Sequence, residues 1–256
     1  MRITVVLVML SVLAAGCEPA DRAAGPDGTT PAASAPAASE PAPAPSESPS
    51  ASPSPSASKS APPAPPPGPA ALRVGSRGPE VLALQRRLVE LGFWLGQPDG
   101  TYGSSTAHAV TAYQKMAGLG RDGVAGARTQ QALKTARRPA ARSTGGDLVE
   151  VDLARQVLIV VNGGRLAWVL DASTGSRPGL TPTGRYKVFR HVDGYDHGPL
   201  GTLYRPKYFN RGVAVHGYPN VPPQPASHGC VRVTNPAMDW LWSSGTLTIG
   251  RGVWVY

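Results

Sequence analysis

Residues 213–232 read VAVHGYPNVPPQPASHGCVR. The stretch opens with an apolar run typical of a β-strand, ends that run at His216, and reaches Cys230 fourteen residues later. A thiol nucleophile needs a neighbouring base, a fixed orientation for that base, and backbone N–H groups that hold an oxyanion. His216 and the run Ser227-His228-Gly229 that precedes Cys230 can supply these parts. The stretch therefore predicts a reactive-thiol site at the end of a strand.

Short strand-like segments lie on both sides of this stretch. Residues 148–153 alternate apolar and polar side chains, and an apolar run over 157–161 leads into a hairpin turn at 162–164. Further segments of this kind occupy residues 166–170, 184–190, 212–216, 247–249 and 253–256. One helix is predicted after Asn235-Pro236, because a capping residue followed by proline starts helices. We therefore predict a mainly-β domain over residues 147–256.

A helical pattern precedes this domain, separated from it by a short basic linker. Apolar residues recur at helical spacing from Val81 to Leu91, after a proline that starts helices and before a glycine that ends them. The motif D-G-x-x-G-x-x-T begins at Asp99 and again at Asp122, 23 residues further on. Asp-Gly forms a tight turn, and the second glycine leads into a helix. This internal repeat predicts a small module of three short helices over residues 71–136.

The chain before the helical module has a different composition. Residues 18–70 contain 16 of the 28 prolines, much alanine and serine, and no valine, isoleucine, leucine or aromatic residue. A segment of this composition cannot bury an apolar core. We therefore predict a disordered Ala/Pro/Ser linker over residues 17–70.

The first residues have the layout of a secretory signal. Arg2 is followed by an apolar run over residues 3–15, which is shorter than the ~20 residues of a membrane-spanning helix. Small residues followed at once by Cys17 resemble the lipobox of bacterial lipoproteins. The resemblance implies a signal peptide over residues 1–16, a lipid on Cys17 and a membrane-anchored protein outside the cytoplasm. Ordinary secretion after cleavage at the same bond is the alternative.

Charge is divided between the segments in the same way. Residues 71–256 carry a net charge of +11, whereas residues 18–70 carry −3. A basic surface either aids solubility or binds a nucleic acid, a membrane surface or another anionic polymer. No block of five or six like charges and no aromatic-studded basic motif is present, so no nucleic-acid partner is predicted.

The cysteine count bears on the reactive thiol. If Cys17 carries a lipid, Cys230 has no disulfide partner in an exported protein and is a free, reactive thiol. A zinc site on His216, His228 and Cys230 is disfavoured, because zinc usually takes four ligands. The stretch 191–197 is interpreted as a hairpin tip or substrate flap rather than a metal loop. We predict no metal and no cofactor.

The helical module resembles the peptidoglycan-binding domain found in many cell-wall hydrolases and transpeptidases. The residues that carry this resemblance are Leu84-Gln85, Leu88, Gly92, both D-G-x-x-G-x-x-T turns, Tyr113-Gln114 and Leu119. The resemblance implies cell-wall glycan as a partner, and a spacer that keeps the fold without binding glycan is the alternative.

The C-terminal domain resembles the L,D-transpeptidase catalytic domain of the YkuD type. The residues that carry this resemblance are His216-Gly217, Ser227-His228-Gly229-Cys230-Val231-Arg232, Asp152, Gln156, the turn at 181–184 and the terminal strand. It implies that Cys230 is the nucleophile and His216 the general base, with the Gly217 main chain orienting the imidazole. The other implied roles are shaping of the site by Ser227 and His228, an oxyanion hole from the amides of Gly229 and Cys230, and a carboxylate contact by Arg232. Tyr204 and Tyr208 are expected either to line the donor groove or to lie in the core.

The resemblance implies a two-step acyl transfer. Cys230 attacks the carbonyl of the third residue of a tetrapeptide stem, D-alanine leaves, and a side-chain amine of a neighbouring peptidoglycan stem resolves the thioester to give a 3–3 cross-link. It also implies inhibition by carbapenem β-lactams and, for the basic charge, contact with anionic cell-wall polymers. Water as acceptor would make the protein an L,D-carboxypeptidase or a thiol peptidase on stem peptides, and a degenerate domain would make it a non-catalytic wall-binding lipoprotein.

Overall fold

The computed structural model describes residues 70–256, which lie in one compact unit of the chain. The predicted signal peptide, the predicted lipid site Cys17 and the predicted linker up to residue 69 therefore lie outside the described residues. The helices are α1 (Pro79–Glu90), α2 (Ser104–Ala117), α3 (Ala127–Thr135) and α4 (Asn235–Ser243). The strands are β1 (Leu148–Asp152), β2 (Val157–Asn162), β3 (Arg165–Asp171), β4 (Gly184–Lys187), β5 (Arg190–His191), β6 (Tyr195–Gly198), β7 (Gly201–Asn210), β8 (Val213–Tyr218), β9 (Val231–Thr234) and β10 (Gly252–Val255). Within residues 70–256, no helix has the length and apolar character needed to span a membrane.

The repeated motif builds the start of the second and third helices. Gly103 is the N-cap residue of α2, and Gly126 is that of α3, as the sequence predicts. A buried glutamine from α1 closes the first turn, since Gln85 Nε2 donates to Asp99 Oδ1 (2.9 Å) and to Thr106 Oγ1 (3.0 Å). The spacing of aspartate and threonine within the motif thus places both side chains in contact with one glutamine.

The second copy of the motif is closed in the same way from α2. Gln114 Nε2 donates to Asp122 Oδ1 (2.6 Å) and to Thr129 Oγ1 (3.2 Å), while Gln114 Oε1 accepts from the amide of Gly123 (2.9 Å). Because a buried polar group is costly unless it is paired, each glutamine fixes the turn to the helix before it. The module is therefore held by two equivalent polar clamps as well as by its apolar core.

The C-terminal part is mainly β, as predicted, and consists of two sheets. The first sheet has the order β3-β2-β1-β10-β4, and the second has the order β5-β7-β8-β9, with β6 paired to β7. The last strand, β10, lies between β1 and β4 and is parallel to β1. An apolar core between the sheets also takes up the inner face of α4, through Ala237, Met238 and Leu241. The predicted helix is confirmed, but its N-cap is Thr234, whose hydroxyl accepts from the amide of Ala237, rather than Asn235. The strand predicted over 247–249 is wrong, because this segment forms a turn.

The helical module packs on the face of the first sheet that is turned away from this core. Val157, Ile159 and Val161 of β2 belong to the same apolar cluster as α1 and α2, whereas Leu158 and Val160 face the core between the sheets. Both faces of β2 are therefore buried, which explains its unbroken apolar run, because strands covered on both sides lose the usual alternation. The sequence did not predict this contact between the two parts.

Candidate active site

The parallel pairing of β8 and β9 brings the predicted base and nucleophile to one place. His216 on β8 lies opposite Arg232 on β9, and Cys230 directly precedes β9. His216, Cys230 and Arg232 line a cavity of about 520 Å³. The other lining residues that the argument uses are Arg190, Asp196, Tyr208, Ser227, His228 and Gly229.

His216 is held as a neutral base. Its side chain is buried, and Nδ1 lies 2.8 Å from the carbonyl oxygen of Gly217. Because a carbonyl oxygen can only accept, Nδ1 carries the proton and Nε2 keeps its lone pair. Burial lowers the pKa of His216 to about 4, the Gly217 contact opposes this shift, and the positive charge of Arg232 adds to it. At neutral pH the imidazole is therefore uncharged and able to accept a proton.

Cys230 is held as a neutral thiol. The Sγ atom lies 3.7 Å from the carbonyl oxygen of Gly212, to which it donates weakly. Burial raises the pKa of the Cys230 thiol, although a backbone contact from Ala214 and the charge of Arg232 both act in the opposite direction. Since burial disfavours both charged forms, the resting pair is a thiol and an imidazole rather than an ion pair.

The loop before Cys230 has a shape that only glycine permits. Gly229 has φ = +139°, and a Cβ atom there would lie 2.6 Å from the carbonyl oxygen of Leu180. The Gly229 carbonyl accepts from Thr181 Oγ1 (2.6 Å), and its amide donates to Ser227 Oγ (3.0 Å). Ser227 Oγ in turn donates to the carbonyl of Cys230 (2.6 Å). Ser227 thus contacts the loop itself, and the Gly229 amide would have to leave Ser227 before it could serve an oxyanion hole.

Arg232 lies in the cavity wall with part of its guanidinium unpaired. Nη1 donates to the carbonyl of Ala226 (3.2 Å), and the group stacks 4.2 Å from the ring centre of Tyr218. Within the part of the chain that the structure describes, the buried Nε atom of Arg232 has no hydrogen-bond partner. A buried donor of this kind is suited to a carboxylate ligand, the role that the resemblance implies.

A charged group on the β6–β7 hairpin lines the same cavity as the thiol. Asp196 Oδ2 accepts from Tyr208 Oη (2.7 Å) and from Arg190 Nη2 (3.0 Å). The Tyr208 contact holds the pKa of Asp196 below its usual range, and burial raises the pKa of Tyr208 to about 12. The sequence identified residues 191–197 as a hairpin tip or flap but did not single out Asp196 or Arg190. Only the pairing of β6 and β5 with β7 brings them beside Tyr208.

The remaining predicted residues fall in different places. His228 lines the cavity and is exposed, and Tyr208 also lines it. Tyr204 lies in a separate cavity with Tyr195 and Gly217, and its hydroxyl donates to Asp239 Oδ1 (2.8 Å). Across residues 70–256, no cluster of three histidine, cysteine or acidic side chains is arranged to hold a metal ion.

Comparisons with known proteins match both parts of the chain. Residues 146–254 match the YkuD family, the L,D-transpeptidase catalytic domain, and residues 77–133 match the peptidoglycan binding domain family PG_binding_1. The crystal structure of an L,D-transpeptidase from Xylanimonas cellulosilytica is 47% identical in sequence, with a TM-score of 0.70. That match covers 75% of this chain and 100% of the other.

Other matches cover a smaller part of the chain. A probable N-acetylmuramoyl-L-alanine amidase from Bacillus licheniformis is 46% identical over 72 residues, which are 27% of this chain and 20% of the amidase. The chain thus spans about one fifth of the length of this curated relative. The match to the Xylanimonas protein, by contrast, extends over that whole chain. The chain therefore belongs to the L,D-transpeptidase family.

Proposed function

We propose that the protein is a cell-wall L,D-transpeptidase that forms 3–3 peptidoglycan cross-links through a thioester on Cys230. The observation that carries the proposal is that the side chains of His216, Cys230 and Arg232 line one cavity. Burial there lowers the pKa of His216 and raises the pKa of Cys230, which favours a neutral imidazole beside a thiol. This set of groups performs acyl transfer without a metal or cofactor, because His216 can take up and return each proton.

In the acylation step, Sγ of Cys230 attacks the carbonyl carbon of the third stem residue while Nε2 of His216 takes the thiol proton. The carbonyl π electrons move to oxygen, and backbone N–H groups of the Cys230 loop stabilise this oxyanion. The C–N bond to D-alanine then breaks, and the imidazolium gives its proton to the leaving amine. The products of this half-reaction are the thioester and free D-alanine.

In the second step, a side-chain amine of a neighbouring stem attacks the thioester carbonyl. His216 takes a proton from the attacking amine, the C–S bond breaks as the carbonyl re-forms, and the imidazolium returns the proton to the departing sulfur to restore the thiol. The fixed orientation of the His216 ring by Gly217 allows the same Nε2 atom to serve in both steps. Arg232 binds a carboxylate of the donor stem through the free Nε–H.

Purified disaccharide-tetrapeptide provides the test. Wild-type protein is expected to release D-alanine and form a dimer whose fragmentation places the bond between two third residues, whereas Cys230→Ala forms neither product. A tripeptide without a dimer would assign L,D-carboxypeptidase activity instead. Unchanged substrate with folded wild-type protein, or equal product from Cys230→Ala, would disprove thiol chemistry at this site.

The location of the enzyme follows from its other segments. We propose that Cys17 carries a lipid, that residues 17–70 tether the enzyme outside the cytoplasm, and that the helical module binds cell-wall glycan. Cys17→Ser should move the protein from the membrane fraction to the soluble fraction. Full-length Cys230→Ala should sediment with insoluble peptidoglycan, and added salt should weaken this binding if the +11 charge contributes. Absence of sedimentation would support a spacer role for the module.

A further inference from the structure

A buried lysine of the helical module reaches into the first sheet. Lys115 of α2 has a fully buried side chain, and its Nζ atom lies 2.6 Å from Asp171 Oδ1. The same ammonium donates to the carbonyl oxygens of Gln156 (3.0 Å) and Ala172 (2.8 Å). Two of the three ammonium protons therefore have backbone acceptors beyond the module, and the Asp171 carboxylate supplies the opposite charge. His108 of α2 adds a second contact to Asp171, with 2.7 Å between Nδ1 and Oδ2.

Gln156, whose carbonyl accepts a hydrogen bond from Lys115, also binds Thr174 through its side chain. Gln156 lies in the left-handed region with φ = +62°, a conformation that a residue other than glycine keeps only where its surroundings fix it. Its side chain brackets Thr174, because Oε1 accepts from the Thr174 amide (2.8 Å) and Nε2 donates to Thr174 Oγ1 (2.7 Å). Lys115 thus fixes the main chain of Gln156, whose side chain fixes Thr174.

Thr174 in turn holds the loop that carries the thiol. Its carbonyl accepts from the amides of Ser227 (2.9 Å) and Ala226 (3.0 Å). The hydroxyl of Ser227 binds both the amide of Gly229 and the carbonyl of Cys230. An unbroken series of hydrogen bonds therefore runs from the helical module to the nucleophile.

A second connection runs beside the first along the chain after β3. Ser173 and Arg232 exchange two backbone hydrogen bonds, of 3.0 and 2.8 Å, so the residue next to Thr174 fixes the strand that follows Cys230. The carbonyl of Ala172, directly before Ser173, is itself an acceptor of Lys115. The segment 171–174 thus contacts the module on one side and both flanks of Cys230 on the other.

We propose that Lys115 is a positioning residue for the transfer reaction, acting through Gln156, Thr174 and Ser227 to set the loop that carries Cys230. The helical module is then a structural part of the active site in addition to any glycan that it binds. The inference depends on the proposed function only in taking Cys230 as the reacting thiol.

The test compares the full chain with variants that cut the series at two points. Lys115→Met/Asp171→Asn removes both charges together and so avoids an unpaired buried charge. Thr174→Val removes only the hydroxyl that accepts from Gln156. Arg86→Met is the control, because it also removes a positive charge from the module but at an exposed site. Circular dichroism and thermal unfolding establish that each variant is folded.

Two rates on Cys230 separate positioning from general destabilisation. Acylation by a carbapenem requires the base and the loop geometry, whereas alkylation by iodoacetamide depends on the access to Cys230 and on its thiolate fraction but not on the oxyanion geometry of the loop. We expect the pair variant and Thr174→Val each to slow acylation by about tenfold and alkylation by less than about twofold, with Arg86→Met like wild type. When all three substitutions are combined, the fold-decrease in the acylation rate should be smaller than the product of the separate fold-decreases, because all three interrupt the same series of hydrogen bonds.

Each outcome decides a different question. Acylation within about twofold of wild type in a folded pair variant overturns the inference, as does full additivity with Thr174→Val. If the pair variant does not fold, wild-type acylation by Thr174→Val overturns it, and slowed acylation with normal alkylation supports it. A wild-type protein that no carbapenem acylates would contradict the proposed function instead.

Discussion

The neutral resting pair predicts an unusual pH dependence for acylation of Cys230. The perturbation is a change from pH 7.5 to pH 5.5. With a His216 pKa of about 4, about 97% of the imidazole remains neutral at pH 5.5. With an ordinary pKa of 6.5, the neutral fraction would fall from about 91% to about 9%. A pre-formed thiolate as the reacting species would produce a still larger loss, about a hundredfold, since its fraction falls tenfold per pH unit below the thiol pKa.

The burial of both groups therefore predicts that the second-order rate constant for carbapenem acylation changes by less than about twofold over this range. Rapid-mixing measurements followed by intact mass give this constant. Cys230→Ala supplies the baseline, and parallel incubations without protein correct for decay of the carbapenem at each pH. A fall of tenfold or more at pH 5.5, in protein that circular dichroism shows to be folded, would refute the neutral-pair reasoning.

Three further predictions concern stability and the loop. Unfolding restores an ordinary pKa to His216, so the unfolded chain binds one more proton than the folded chain between pH 6.5 and about 4. The free energy of unfolding should therefore decrease by about 3 kcal/mol as the pH is lowered through this range. His216→Asn should lack this component in urea titrations at pH 7 and 4, and equal pH dependence in both proteins would contradict it. Gly229→Ala should cost about 2 kcal/mol or more and slow acylation at least tenfold, whereas Gly145→Ala, which meets no atom within 4 Å, should alter neither value. Gln114→Leu should lower the free energy of unfolding by about 2–4 kcal/mol, and exposed Gln131→Leu by less than about 0.5 kcal/mol; similar losses would show that the clamp contributes little.

Local patterns in the sequence were sufficient to predict where the helices start, where most of the strands lie and which thiol is reactive. The repeat placed Gly103 and Gly126 at the start of two helices because turn chemistry depends on residues a few positions apart. His216 and Cys230 were identifiable because each adjoins a short apolar run, which is a local feature, although β8 continues two residues beyond His216 to Tyr218. The resemblance to a known family supplied their roles.

Features that depend on long-range pairing were not predictable in the same way. Asp196 and Arg190 reach the cavity only through the register of β5 and β6 on β7, which no local pattern encodes. The predicted oxyanion role of the Gly229 amide did not anticipate its bond to Ser227, because that bond depends on the folded path of the loop. The hydrogen bond from Tyr204 to Asp239 likewise depends on where α4 packs.

Lys115 shows most directly why the contact between the two parts was missed. Lysine is almost never fully buried without a partner, so a lysine near the end of a helix is ordinarily interpreted as exposed to solvent. Here the partner, Asp171, comes from a strand 56 positions away, and the pair is matched only after the sheet has formed. The same contact covers the apolar residues of β2 that face α2. A catalytic domain cut at residue 146 would therefore expose this apolar face and remove both side-chain partners of Asp171, Lys115 and His108. The boundary between the two families in the sequence is therefore not a boundary of stability in the fold.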